Sequence, residues 1–248
     1  MPAPADTVRQ RMATAQHRAI RLGLSIAAVV TIALPVKLAG QAPEQATFRV
    51  VENGAAIGSA TISVSRVDEG WRVESTSHAG GSIGLEVRRF DITYDREWGM
   101  RFLSMEIAWR QETRVIHVAT QGLRARTDVV VPDHEVTFRA QWISPGTIAL
   151  PDDVFGAYQA LAARVEALAP GDDIPLLLTP GSEVHASVDA TRDEELRTTS
   201  GSIRARRVSL LVIRDIPTPI EIWVSKGALL KVELPLDHLS IIRSDISD

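Results

Sequence analysis

Most of the chain consists of short segments in which apolar and polar residues alternate. Residues 89–95, RFDITYD, are one such segment, and residues 103–110 are another. Dipeptides typical of turns, such as Asn53-Gly54 and Gln121-Gly122, separate the segments. A spacing of two residues is that of a strand with one buried and one exposed face. The pattern therefore predicts an antiparallel meander of many short strands.

Residues 151–171 depart from this pattern and follow the period of a helix. Their large apolar residues form a single stripe: Val154, Phe155, Tyr158, Leu161, Val165 and Leu168. Asp152 and Asp153 precede the stripe and are predicted to cap the first turn, while Pro170-Gly171 ends the helix. We predict a helix over residues 153–169, the one amphipathic helix after the N-terminal segment.

A lone helix between two long runs of predicted strands constrains the fold. Residues 43–248 are predicted to form a single all-β domain, in which a strongly curved antiparallel sheet, a half-barrel, wraps around one central amphipathic helix. Residues 208–213, VSLLVI, are apolar on both faces and are predicted to lie in the middle of that sheet.

Residues 1–42 have the composition of a targeting segment. Arg18 and Arg21 precede an apolar run over residues 22–36, and small residues follow over residues 38–42. This order is that of a secretory signal peptide. An apolar run of this length is also close to the minimum for a membrane anchor. We therefore predict an exported protein, periplasmic or secreted, with residues 1–42 either removed or retained as an inner-membrane anchor.

Charge and cysteine content narrow the classes of function. The chain has 27 basic and 31 acidic residues and no Cys. Five of the basic residues and one of the acidic residues lie in the first 42, so the remainder has a net charge of −8. An acidic body argues against nonspecific binding of nucleic acid. The absence of Cys excludes disulfides, thiolate nucleophiles and thiolate-bound zinc.

The sequence contains no motif that predicts catalysis, a metal site or a cofactor. The histidines are scattered without metal-ligand spacing, and no Gly-x-Ser-x-Gly elbow occurs. Residues 193–195, Asp-Glu-Glu, are interpreted as a solvated turn, and Arg204 and Arg206 as a solvated strand face. We therefore predict a protein that is not an enzyme.

Aromatic residues are the most suggestive candidates for a binding site. Six of them lie on predicted strands, at strand ends or on the predicted helix: Phe90, Tyr94, Trp109, Trp142, Phe155 and Tyr158. Two interpretations are open. These side chains either fill the core between the sheet and the helix, or they line an apolar cavity for a ligand such as an acyl chain.

Six short segments carry a resemblance to a known family: residues 52–60 (ENGAAIGSA), 150–163, 170–172 (PGD), 201–205 (GSIRA), 222–225 (IWVS) and 230–234. Through them the layout resembles a family of uncharacterised exported bacterial proteins, a domain of unknown function with a half-barrel fold. Lys226-Gly227 departs from the family pattern, in which an acidic turn is expected. The family is similar in fold to periplasmic carriers of lipoproteins and lipids, and this implies a role in lipid handling at the level of fold alone.

Two functions follow as alternatives. The first is an envelope protein that binds a lipid or other apolar ligand between sheet and helix. The second is a structural or interaction protein that docks onto other envelope components and has a filled core. In both, no nucleic acid is expected as a partner, and contact with a membrane is expected only through an uncleaved N-terminal segment.

Overall fold

The computed structural model describes residues 44–109, 112–132, 134 and 136–247. The predicted signal peptide or anchor, residues 1–42, lies outside them. The strands are β1 (Glu44–Glu52), β2 (Ala55–Val67), β3 (Gly70–Ala79), β4 (Leu85–Asp95), β5 (Met100–Trp109), β6 (Glu112–Gln121), β7 (Arg124–Val130), β8 (Thr137–Trp142), β9 (Ile148–Ala149), β10 (Asp173–Leu177), β11 (Glu183–Thr198), β12 (Gly201–Ile213), β13 (Thr218–Ser225), β14 (Ala228–Leu234) and β15 (Leu239–Arg243).

These strands form one long sheet whose two edges are not joined by strand pairing. The order across the sheet is β8-β7-β6-β5-β4-β3-β2-β1-β15-β14-β13-β12-β11-β10-β9. The first and last strands of the described residues, β1 and β15, pair near the middle of the sheet, where Phe48 lies opposite Arg243. Strands that are consecutive in sequence pair antiparallel on both sides of this point. There are two exceptions: β8 and β9 form the two edges of the sheet, and β9 and β10 pair parallel after the helical crossover. The predicted all-β class and meander are confirmed.

The alternating pattern places one face of each strand in the core. In β4, Phe90, Ile92 and Tyr94 are at most 1% exposed, while Arg89 is exposed. The predicted Asn53-Gly54 turn joins β1 to β2, and both residues have positive φ, 49° and 79°. That geometry suits the twist of an antiparallel hairpin and favours Asn-Gly.

The helix is shorter than predicted. A 3₁₀ turn over Phe155–Ala157 leads into α1 (Tyr158–Val165), so regular helix covers 155–165 and not 153–169. The stripe from Val154 to Val165 is buried as the pattern predicts. The capping prediction is wrong, because Val154 is the N-cap and no side chain caps it. Asp153 has φ 58°, which turns the backbone before the helix begins.

The predicted turn at residues 193–195 is also wrong, since these residues lie inside the long strand β11. Their charges are matched by arginines of the neighbouring strand β12. Arg204 donates to Asp193 at 2.6 Å, and Arg207 lies 3.4 Å from Glu194. Charged residues on an exposed strand face are therefore paired across the hairpin, and a hydrophilic run there does not require a turn.

One apolar core joins the helix to strands from both halves of the sheet. Contacts also link strands that are far apart in the strand order. The Met100 amide donates to the Thr147 carbonyl at 2.9 Å. At the β8 edge, Gln141 donates to the Gly181 carbonyl at 3.2 Å and Arg139 to the Ser182 hydroxyl at 3.0 Å. Within the described residues, no helix is long and apolar enough to cross a bilayer.

Candidate functional site

A cavity of about 250 Å³ lies between the sheet and the side of α1. Phe48, Ile62 and Val64, from β1 and β2, form part of its apolar wall. Gln159 and Ala163 contribute from α1, one helical turn apart. Alternation in the strands and the helical period thus direct both sets of residues to the same space.

Two tryptophans form a flat side of this cavity. The rings of Trp71, on β3, and Trp98, in the β4–β5 loop, stack with centroids 5.1 Å apart and planes 6° from parallel. The Asp95 carboxylate holds the loop by accepting from the Glu97 amide at 2.9 Å and the Gly99 amide at 2.8 Å. Both rings are only partly buried, and the Arg66 guanidinium lies 5.2 Å from the Trp71 ring centroid. The exposed parts of the two rings line the cavity.

The opposite side of the cavity is the two-residue turn between β13 and β14. Lys226 and Gly227 have positive φ, 54° and 75°, which favours Gly at the second position. Glu166, next after α1, accepts from both of their amides at 2.6 Å. Gln159 donates to the Gly227 carbonyl at 2.8 Å and accepts from the Leu229 amide at 3.1 Å. Three hydrogen bonds therefore fix the turn to the helical segment, and a fourth fixes the start of β14.

Charged residues also border the cavity. Arg243 lines it but donates to both carboxylate oxygens of Asp245, at 2.6 and 2.9 Å. Hydrogen bonding from Arg243 lowers the pKa of Asp245. Glu44 supplies a carboxylate. The exposed Lys226 ammonium forms no ion pair with any residue that the structure describes. Among the described residues, Lys226 therefore offers a positive charge that no carboxylate pairs with.

The six aromatic residues predicted from the sequence do not come together at this cavity. Phe90, Tyr94 and Phe155 are each 1% exposed and Tyr158 is 5% exposed, all within the core. Burial raises the pKa of both tyrosine hydroxyls. Trp109 and Trp142 are 37% and 71% exposed.

A second and smaller cavity, of about 60 Å³, lies at the start of the helix. Tyr158, Asp152, Asp153 and Arg214 line it. Partial desolvation of the Asp153 carboxyl group in this cavity and the neighbouring Asp152 carboxylate raise the pKa of Asp153, although the residue as a whole is exposed. In the described part of the chain, no group of three or more His, Asp or Glu residues is arranged to hold a metal ion.

Trp98 was not among the predicted site residues, because Trp98-Gly99 has the sequence pattern of a turn. The signal was a large aromatic residue in a turn position, which exposes apolar surface unless something packs against it. Gln159 and Glu166 gave no local signal, since their partners lie 60 to 70 residues further along the chain.

Comparison with known proteins adds little. No family model matches the chain, and no curated protein matches it. A similar solved structure is the 1.80 Å crystal structure of a DUF1089 family protein from Pseudomonas aeruginosa, with 14% identity and a TM-score of 0.42 over 71% of this chain and 89% of that chain. The likeness is thus a weak one to a domain of unknown function, and at this TM-score it carries no argument about fold or activity.

Proposed function

We propose that this protein is an exported, non-enzymatic envelope protein that binds a lipid or other apolar ligand between the sheet and the helix. The observation that carries the proposal is the cavity with an apolar wall and a stacked tryptophan pair at its side. Binding pockets are typically apolar concavities with a few polar groups that orient the ligand. Phe48, Ile62 and the two tryptophans supply the apolar wall, and Lys226 supplies a polar group that can orient the ligand.

The size of the cavity limits the ligand. At about 250 Å³ it lies just below the roughly 300–1,000 Å³ of typical small-molecule pockets. A ligand of modest size, or one segment of a longer acyl chain, suits it. The Lys226 ammonium, which pairs with no described carboxylate, favours an acidic head group over a neutral one, because opposite charges attract.

We further propose that the sheet curves around the helix as a half-barrel. In a flat sheet, the twelve strand intervals between β8 and β11, at about 4.8 Å each, would separate these strands by about 58 Å. The hydrogen bonds from Arg139 and Gln141 of β8 to the turn before β11 support curvature instead. Contacts of the helical segment with β2, β3, β13 and β14 support a position inside the curve.

The alternative is a docking protein with a filled interior. The close packing of Phe90, Tyr94 and Phe155 favours it, because these side chains occupy space that a larger cavity would need.

A binding experiment distinguishes the ligand-binding function from the docking function. Dodecanoate and dodecanol are titrated against the protein, with tryptophan fluorescence as the signal. Trp71→Ala and Trp98→Ala are expected to weaken both ligands about 2- to 12-fold, the effect of losing an aromatic contact. Lys226→Gln should weaken dodecanoate and leave dodecanol unchanged. Trp142→Ala is the matched control, because Trp142 is exposed and does not line the cavity.

Native mass spectrometry of the protein purified from its own membrane fraction tests independently whether a ligand is bound. A co-purifying ligand supports the proposal. If Trp71→Ala and Trp98→Ala fold normally by circular dichroism and bind both ligands as the wild type does, the cavity is not a binding site. The docking alternative then stands.

A further inference from the structure

Strands β7 and β8 present an apolar and basic surface on the side of the sheet away from the core. Ala125 and Thr127 of β7 are 1% and 3% exposed and face the core, so their neighbours Arg124 and Arg126 face outward. The strand register places Trp142 opposite Arg124 and Phe138 opposite Asp128. We call Arg124, Arg126, Phe138, Ala140 and Trp142 the outer patch.

The aromatic rings of the outer patch are exposed to solvent. Phe138 and Trp142 are each 71% exposed. Removing such apolar surface from water lowers the free energy, so a contact that covers these rings is favourable. Arginine guanidinium groups lie over both rings. Arg124 is 5.0 Å from the Trp142 ring centroid and Arg126 is 5.8 Å from that of Phe138. The patch therefore combines apolar surface with positive charge in one place.

Its charge balance differs from that of the rest of the protein. Arg126 is paired with Asp128 at 2.9 Å, whereas Arg124 forms no ion pair with any described residue. Among the described outward-facing residues of β7 and β8, this leaves the positive charge of Arg124 unpaired, on a body whose net charge is −8. Another exposed apolar pair, Ile216 and Leu236 at 71% and 55%, is flanked by acidic residues, Asp215 and Asp237. The complementary partner of the outer patch is thus an anionic surface.

Two other occupants fit the geometry less well. A partner strand would have to pair with the free edge of β8, but side chains of β8 already bond the turn before β11 at Gly181 and Ser182. A second copy related by a two-fold axis would bring the four arginines of the two patches into one interface with only two Asp128 carboxylates. The net like charge at such an interface costs affinity.

We propose that the outer patch docks the protein onto an anionic phospholipid bilayer. Trp142 and Phe138 would enter the interfacial region, where amphipathic aromatic rings are enriched. Arg124 and Arg126 would lie at the level of the phosphates, since basic residues are attracted to an anionic leaflet. This inference stands apart from ligand binding in the cavity, because it shares no residue with that site.

The test uses the full chain with vesicles of phosphatidylcholine and phosphatidylglycerol in equal parts, some carrying brominated acyl chains. Bromine quenches tryptophan fluorescence at short range, so quenching that disappears in Trp142→Phe reports the depth of that ring. Residues 1–42 are present in all variants and so cannot explain a difference between them. Arg124→Gln with Arg126→Gln is expected to lower the docked population about 30-fold, at about fivefold for each basic residue.

The matched control is Ile216→Ser with Leu236→Ser, which removes a comparable exposed apolar pair and should leave the quenching of Trp142 unchanged. Vesicles of phosphatidylcholine alone should give weak quenching. The proposal is overturned if Trp142→Phe leaves the quenching as it was, if neutral vesicles quench equally, or if the double arginine variant docks like the wild type. It is also overturned if sedimentation without vesicles shows a dimer that Trp142→Ser dissociates.

Discussion

At the scale of single residues, the structural role of a charged side chain depends on the residue that lies opposite it on the neighbouring strand. Arg72 on β3 donates to both carboxylate oxygens of Asp91 on β4, at 2.9 and 2.6 Å. The same principle explains why residues 193–195 belong to a strand although their composition is typical of a turn. Sequence periodicity gives the face of each side chain, but the residue opposite depends on register, which the sequence does not reveal.

Asp91 is expected to contribute to stability in a pH-dependent way. Hydrogen bonding from Arg72 lowers the pKa of Asp91 below its ordinary 3.8. The stabilisation is therefore present above the ordinary pKa and is lost as the pH falls through the lowered one. Asp91→Asn should reduce the free energy of unfolding at pH 7 by about 1–2 kcal/mol. It should also weaken the dependence of that free energy on pH in the acid range. Urea unfolding at several pH values measures both.

Glu74→Gln is the matched control for this pair. Glu74 contacts the same arginine at 3.1 Å, but its side chain is 50% exposed, against 13% for Asp91. Exposed ion pairs contribute little to stability, so a small effect is expected. Equal losses of unfolding free energy in Asp91→Asn and Glu74→Gln would contradict the assignment of the pH-dependent stabilisation to Asp91.

At the scale of elements, the short helix depends on its attachment to the β13–β14 turn. The stripe from Val154 to Val165 was predictable from its 3.6-residue period, because it reflects burial against the sheet. The boundaries of the helix were not predictable, since Asp153 takes a left-handed conformation that local composition does not specify. The attachment through Gln159 and Glu166 was not predictable either, because it joins residues far apart in sequence.

Gln159→Leu is expected to destabilise the protein by about 1–3 kcal/mol, because the Gly227 carbonyl and the Leu229 amide lose their side-chain partner. Ala167→Gln, at an exposed position beyond the helix, is the control and should have almost no effect. Thermal unfolding of the two variants gives the comparison. A loss below about 0.5 kcal/mol for Gln159→Leu would mean that water replaces the amide at no cost.

At the scale of the whole molecule, the meander was predictable because it is built from local alternation and turns. The pairing of β1 with β15 was not, since it joins the two ends of the described chain. The candidate cavity depends on the same long-range contacts. Residues of β1, the β4–β5 loop and the β13–β14 turn meet there, and this explains why Trp98 and Lys226 were not foreseen. The local pattern placed Phe90, Tyr94 and Phe155 between sheet and helix, but it left open whether they fill the core or line a cavity.

The proposed curvature of the sheet is tested by cross-linking its ends. The chain has no native Cys, so introduced thiols are the only ones that react. Arg139→Cys with Ser182→Cys places one thiol on β8 and one in the turn before β11, where the native side chains are 3.0 Å apart. A short bis-maleimide should join them within one chain, because a curved sheet brings these strands together.

Asp128→Cys with Phe138→Cys is the positive control, since these residues lie directly opposite on paired strands, and Arg139→Cys alone is the negative control. Cross-linked product is identified by gel mobility and by mass spectrometry of the joined peptides. The Gln141 bond to Gly181 is kept in the test variant, so loss of the Arg139 bond alone does not free the edge. In a flat sheet the two thiols would be about 58 Å apart, beyond the reach of the reagent. Cross-linking in the positive control but not in the test variant would therefore refute the curved sheet, and with it a helix enclosed by that sheet.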